Sequence, residues 1–258
     1  MSKASDTIEQ KHLGRTNADG VGVGSADGSG EMFDAIADRY DLLNRVLSLG
    51  LDGGWRRQAV DALQLPTPAD ALDLATGTAD LALEMARQAP EARVVGVDPS
   101  AGMLRRGRRK VEDLQIADRI RLEQGSAEAL PFGENSFDGV GMAFGIRNVT
   151  DRPAALREMA RVCRPAGRVA ILELSEPRGL IGLGAKFYLR SVVPWLGCLL
   201  AGSREYRYLQ RSIAAFPPPD RFAELMQDNG LEVLEQRPLL FGVCHLYIAR
   251  PASAESQR

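Results

Sequence analysis

One short stretch carries the densest chemistry in the chain: Asp73-Leu74-Ala75-Thr76-Gly77-Thr78-Ala79-Asp80. An apolar run ends in it, Gly77 permits close backbone approach, and Thr78 and Asp80 are suited to cap a following helix. About twenty residues on, Val94-Val95-Gly96-Val97-Asp98 ends in a carboxylate whose two oxygens suit a pair of ribose hydroxyls. Together these residues point to a bound adenosine. A dinucleotide needs the backbone to come close to its pyrophosphate, yet the second and third fingerprint positions are Ala79 and Ala82, which disfavours NAD. S-adenosylmethionine, with a ribose and no phosphate, asks less of the loop and gives Asp73 a role beside its ammonium or in orienting the turn. Taken alone, the loop is also compatible with a capped strand-turn-helix corner that binds nothing.

A second loop, Gln124-Gly125-Ser126-Ala127-Glu128, falls where an adenine edge would lie, and Ser126 is able to hydrogen-bond the exocyclic amine. Other chemistries find little support. Three cysteines, Cys163, Cys198 and Cys244, lie far apart in apolar surroundings and read as reduced core thiols; with two histidines, the chain offers no zinc cluster. His245 sits in the alternating run Val243-Cys244-His245-Leu246-Tyr247-Ile248 and reads as a structural strand residue. With 32 basic against 34 acidic side chains, bulk charge gives no reason to expect a nucleic-acid partner.

The elements that must position these residues follow from the hydrophobic pattern. In this chain of 258 residues, short apolar runs at Ala71–Leu74, Arg93–Val97, Ile120–Glu123, Phe137–Met142 and Arg168–Leu174 alternate with helical patterns at Asp80–Gln88, Ala101–Leu114 and Pro153–Cys163. That alternation predicts an α/β fold, a doubly wound and mostly parallel sheet with its ligand site outside the carboxyl ends of the strands. Met32–Leu47 and Trp55–Leu63 read as N-terminal helices. Pro219–Asn229 reads as a helix stopped by Gly230, and Leu231–Leu234 with Leu239–Ala249 supply two more strands, for seven in all.

Residues 1–30 and 251–258 are polar and read as disordered tails around one domain over 31–250. The first tail has no apolar core to make it a secretory signal, so a cytoplasmic location is expected. No uninterrupted apolar stretch reaches 18 residues. Gly179–Gly202 comes nearest, interrupted by Lys186, Arg190 and Pro194, and suits either a buried helix or a wall for a greasy ligand or membrane surface.

Three further segments carry a resemblance: Tyr40-Asp41-Leu42-Leu43-Asn44-Arg45-Val46-Leu47-Ser48-Leu49-Gly50, Ala143-Phe144-Gly145-Ile146-Arg147-Asn148-Val149-Thr150-Asp151, and Ala201-Gly202 through Phe216-Pro217, with Glu205-Tyr206-Arg207-Tyr208-Leu209 inside it. With the Gly77 loop they resemble the ubiquinone/menaquinone biosynthesis C-methyltransferases, within the class I S-adenosylmethionine-dependent methyltransferases, over nearly everything from Met32 to about Arg250. The resemblance implies a Rossmann-like fold with a helical insertion before the last strands. It also implies S-adenosyl-L-methionine as cofactor and a polyprenyl quinol as substrate, with demethylmenaquinol favoured over a methoxy-benzoquinol. Cofactor contacts carry over to Gly77, Thr78, Asp98, Ser126, Ala127 and Ala143, beside Asp73. Catalytic roles carry over to Arg147, as positive charge facing a quinolate, and to Asn148 and Tyr40, which would orient the ring.

By position alone, Asn148 would be a helix N-cap, Arg147 a surface salt bridge and Tyr40 core packing. Leu180–Leu200 and the helix from Met32 are the expected trough for the prenyl tail, with about 0.8 kcal/mol lost per removed buried CH₂. Ala79 for a usual Gly, Ser126 for an acidic or amide residue and Asp52 for a His or Gln are departures from the pattern. They leave open a methyltransferase for another small acceptor and a non-catalytic adenosine-binding module. A homodimer and a peripheral contact with the inner face of the membrane also stay open.

Overall fold

A computed structural model describes residues 45, 48, 50–175 and 203–253. Tyr40, Cys198, the apolar stretch Leu180–Leu200, most of the expected helix over Met32–Leu47, the tail over 1–30 and residues 254–258 lie outside the described residues.

The elements run α1 (Asp52–Leu63), β1 (Asp70–Leu74), α2 (Asp80–Gln88), β2 (Arg93–Asp98), α3 (Ala101–Asp113), β3 (Ile120–Gln124), β4 (Phe137–Ala143), α4 (Arg152–Val162), β5 (Cys163–Leu174), α5 (Ser203–Ala214), α6 (Pro219–Asp228), β6 (Leu231–Leu239) and β7 (Cys244–Pro251). The seven strands form one sheet in the order β3-β2-β1-β4-β5-β7-β6. The first five are parallel, and β7 runs antiparallel to both β5 and β6. Strands covered on both faces are mostly apolar; in β1, β4 and the second half of β5 the carboxylates Asp70, Asp73, Asp138 and Glu173 interrupt otherwise apolar or glycine-bearing runs.

Two apolar layers sandwich the sheet. Trp55, Leu63, Leu81, Met85, Leu104 and Val111, from α1, α2 and α3, belong to one. Leu156, Met159, Phe222 and Met226, from α4 and α6, belong to the other. Phe222 is fully buried between Phe216 and Tyr247, with ring centroids 4.8 and 4.9 Å away. Truncating such a ring costs about 3–5 kcal/mol, so Phe222, with the equally buried Met226, fastens α6 to the sheet. Gly230 stops α6 as expected, at φ +86.

The strand order reverses between β1 and β4, and register fixes what meets there. Leu74 is paired with Val97 on one side and Met142 on the other, so the loop after β1, Asp98 and Ala143 lie at one level. Across the next pairings, Ala143 is level with Leu172, and Glu173 with His245. The carboxyl ends of five neighbouring strands, with the amino end of β7, therefore face a common crevice.

Four expectations are corrected. Neither Thr78 nor Asp80 caps α2: Ala79 occupies the cap at φ +70, and Asp73 Oδ2 accepts from the Ala82 N–H in the first turn instead. The run Leu239–Ala249 is not one strand, because Leu240, Phe241 and Gly242 all adopt positive φ and reverse the chain between β6 and β7. Strand β5 starts at Cys163, directly after α4, where Phe137 gives it a partner. The expected tail at 251 starts too early: β7 carries through Pro251, and the Ala252 N–H donates to the Gly230 carbonyl at 2.9 Å. Helix α5 is the described part of the expected insertion, and no helix among the described residues is long and apolar enough to cross a membrane.

Candidate active site

The loop after β1 is tied to β2 and α3. Asp98 is buried; its Oδ2 accepts from the Gly77 N–H at 2.9 Å and its Oδ1 from the Ser100 N–H at 2.8 Å. These two bonds aim the Asp98 carboxylate at the end of β2. Thr78 is buried and turned towards α3: its hydroxyl accepts from Lys110 Nζ at 2.9 Å, and the same ammonium pairs with Asp80 at 2.6 Å. The Thr78 hydroxyl is thus engaged by α3, while the residue also lines the cleft beside Gly77. Ser126 is exposed and its Oγ accepts from the Glu128 N–H, closing its own turn, while Ala127 is buried beside it. The Gly125 N–H donates to the Asp98 carbonyl at 3.1 Å, which brings this loop to the edge of the same crevice.

Asp73 is the most constrained group. Its Oδ2 accepts from Thr76 Oγ1 at 2.5 Å and from the Ala82 N–H at 3.0 Å, while buried Oδ1 has no hydrogen-bond partner among the described residues. Burial pushes its carboxyl up to about 7, against the opposing pull of those two bonds and of the Arg56 charge. Asp73 opens on a narrow cleft lined by Arg56, Gly77, Thr78, Asp80 and Ala143. An unpartnered buried oxygen beside a glycine loop fits the ammonium of an amino-acid-bearing nucleoside, and the residues present suit S-adenosyl-L-methionine.

The loop after β4 meets this cleft directly. A Cβ on Gly145 would stand 2.5 Å from the Ala75 Cβ, so only glycine lets the two loops touch. Ala75 and Phe144 adopt φ +50 and +59 there, conformations that side-chain-bearing residues rarely adopt.

A single 3-10 turn, Ile146–Asn148, then presents Arg147 and Asn148. Arg147 is not a surface ion pair. It is buried, and its Nη1 donates to the Phe144 carbonyl at 2.7 Å and to Glu173 Oε1 at 2.5 Å. Nor does Asn148 cap α4, since Asp151 Oδ1 accepts from the Ala154 N–H in that role. Asn148 Oδ1 instead accepts from the Tyr208 hydroxyl at 3.1 Å. Burial pushes the Tyr208 phenol up, opposed by the charges of Arg147 and Arg152.

Glu173, Tyr208 and Arg152 are members of this site that sequence reasoning gave no role. Glu173 did carry a signal, as a lone carboxylate inside an apolar strand, a place where a charge persists only when paired. Arg152 braces the turn by donating to the carbonyls of Ile146 and Arg147, and its guanidinium lies 5.5 Å from the Phe216 ring centre. His245 is satisfied by Ser175, whose Oγ lies 2.7 Å from Nδ1 and donates to the Gly242 carbonyl. The thiols of Cys163 and Cys244 are buried, and burial pushes Cys163 up to about 12.

The reversed strand order, the glycine loop under a buried carboxylate and the second carboxylate at the end of β2 define a class I S-adenosyl-L-methionine-dependent methyltransferase. The chain belongs to the ubiE/COQ5 methyltransferase family, whose model matches residues 23–250. It is 45% identical over 219 residues to the ubiquinone/menaquinone biosynthesis C-methyltransferase UbiE of Geobacter sulfurreducens, covering 84% of this chain and 86% of that one. It is also 45% identical to the demethylmenaquinone methyltransferase of Thermus thermophilus, over 84% of this chain and 98% of that one.

Among solved structures, the [4+2]-cyclase SpnF superposes with a TM-score of 0.65 at 14% identity, over 87% of this chain and 96% of that one. A SAM-dependent methyltransferase from Aquifex aeolicus gives a TM-score of 0.50 at 16% identity, over 70% of this chain and 81% of that one. These likenesses extend to fold alone, and a cyclase among them shows why activity must be argued from the site.

Proposed function

We propose that this enzyme methylates a ring carbon of a polyprenylated quinol, with demethylmenaquinol converted to menaquinol as the favoured step. The observation that carries the reading is Arg147 and Asn148, held at the end of β4 by Glu173 and Tyr208 and touching, through Gly145 and Ala75, the loop that frames the cofactor cleft. The names of the relatives from Geobacter sulfurreducens and Thermus thermophilus point the same way.

S-adenosyl-L-methionine supplies a methyl group on a sulfonium, already an activated electrophile. What the chain must add is alignment, exclusion of water and a nucleophilic carbon. A quinol ring carbon becomes nucleophilic when a neighbouring hydroxyl gives its proton to solvent water. Arg147, whose guanidinium keeps its proton, is not a base; it stabilises the oxyanion that forms. Asn148, fixed through its Oδ1 by Tyr208, has its amide N–H groups as donors to orient the ring oxygen. The carbon–methyl bond forms as the sulfur–methyl bond breaks, and loss of the ring proton to water restores aromaticity.

The test is methyl transfer from labelled S-adenosyl-L-methionine to reduced demethylmenaquinone, with a methoxy-benzoquinol and a plain phenol alongside. Label in the naphthoquinol is expected. Label in the benzoquinol alone would move the enzyme to the other ring, and cofactor binding with no label in any acceptor would overturn the reading.

A further inference from the structure

Glu173 is a carboxylate with a fully buried side chain in the apolar end of β5, next to Leu172 and Leu174. Removing a carboxylate from water costs several kcal/mol unless its oxygens find donors, and Glu173 finds three. Oε1 accepts from Arg147 Nη1 at 2.5 Å and from the Leu174 N–H at 2.8 Å, and Oε2 accepts from the Arg147 N–H at 3.1 Å. Two of the three donors belong to Arg147, one at the tip of its side chain and one in its backbone. Both the turn and the guanidinium are thereby locked to the sheet.

The charged and titratable groups around this pair are placed by four other elements. Arg152 comes from α4, Tyr208 from α5, and Cys244, His245 and Tyr247 from β7, with Arg56 of α1 further out and paired with Asp52. The carboxylate of Glu173 cancels the charge of Arg147 at hydrogen-bonding distance, so a quinol hydroxyl at Arg147 would meet a local dipole rather than an uncompensated cation.

We infer that Glu173 is a positioning residue that fixes Arg147 and, by cancelling its charge, sets the pH at which the bound quinol ionises. The inference rests on the reading of Arg147 as the oxyanion's partner. A purely structural ion pair would hold the turn without touching that pH.

The experiment compares single-turnover methyl transfer against pH for the wild type, Glu173→Gln, Glu173→Asp and Arg147→Ala. Glu173→Gln keeps an oxygen for the Arg147 donors and removes the negative charge. Its acid limb is expected to move to lower pH by about one unit, because the uncompensated guanidinium favours the quinolate. Glu173→Asp keeps the charge and shortens the reach, so its limb is expected to stay in place while its rate falls about tenfold or more.

A folded Glu173→Gln enzyme with an unmoved limb overturns the inference. Should that variant not fold, Glu173→Ala removes the same charge in its place, a lowered limb there supporting the inference and an unmoved one overturning it, and a Glu173→Asp enzyme with the wild-type rate overturns the positioning role in either case. Arg147→Ala separates the two levels: wild-type turnover there defeats the reading of Arg147 as the oxyanion's partner, on which the inference rests, whereas lost turnover with an unmoved Glu173→Gln limb defeats only the role of Glu173.

Discussion

Asp73→Asn tests the electrostatics of the cofactor cleft. The Asp73 carboxyl lies near its ordinary value of 3.8 in the unfolded chain and is pushed to about 7 in the fold, first by burial. A group whose folded value is raised lends stability that is fully present below the unfolded value and lost as pH climbs through the folded one. A difference of about three units corresponds to about 4 kcal/mol drained from the wild type between about pH 4 and pH 7.5. Asparagine keeps an oxygen for Thr76 and Ala82 and cannot ionise, so its own cost is independent of pH. Urea unfolding at several pH values should show the variant gaining on the wild type, by several kcal/mol, as pH rises through this window. An ammonium seated against Oδ1 would pull the Asp73 value down, so wild-type cofactor binding near pH 6 should release a proton that Asp73→Asn does not. Calorimetry in two buffers of different ionisation enthalpy reads that proton. A stability difference that stays flat from about pH 5 to 7.5 would refute the account of Asp73.

Three other changes probe the rest of the site. Asp98→Ala removes the acceptor for the Gly77 and Ser100 N–H groups, and equilibrium dialysis should show cofactor affinity falling about 10–100-fold, as loss of charged hydrogen bonds implies; unchanged affinity would separate Asp98 from the ribose. Tyr208→Phe deletes the bond to Asn148, worth about 0.5–1.5 kcal/mol, so turnover should drop about 3–10-fold with cofactor affinity intact. Ala79→Gly relieves a residue at φ +70, worth about 1 kcal/mol, but removes a fully buried methyl group worth about 0.8 kcal/mol. The melting temperature should therefore move by no more than a few degrees in either direction, and a large gain would mean that the methyl group packs badly.

Most of the sheet was legible because short apolar or alternating runs between helical patterns leave a plain trace: β1 to β4 differ from the sequence reading by one residue at an end. What failed was non-local. Thr78 and Asp80 have the right chemistry to cap α2, yet Lys110 of α3 engages both and Asp73, nine positions before Ala82, supplies the bond to the first turn. The reversal at residues 240–242 places Leu240 and Phe241 in a conformation their side chains disfavour, so local propensity points the wrong way there.

Glu173 illustrates the same limit at the site. A carboxylate in an apolar strand announces that some partner exists, but which partner depends on β4 lying beside β5 with Ala143 level with Leu172, which carries the following turn to the carboxylate. Residue types could nominate Arg147, whereas only register could show that its charge is matched. That difference changes the chemistry expected of it, because an unmatched guanidinium would favour ionisation of a neighbouring hydroxyl more strongly than one whose charge a carboxylate offsets at hydrogen-bonding distance.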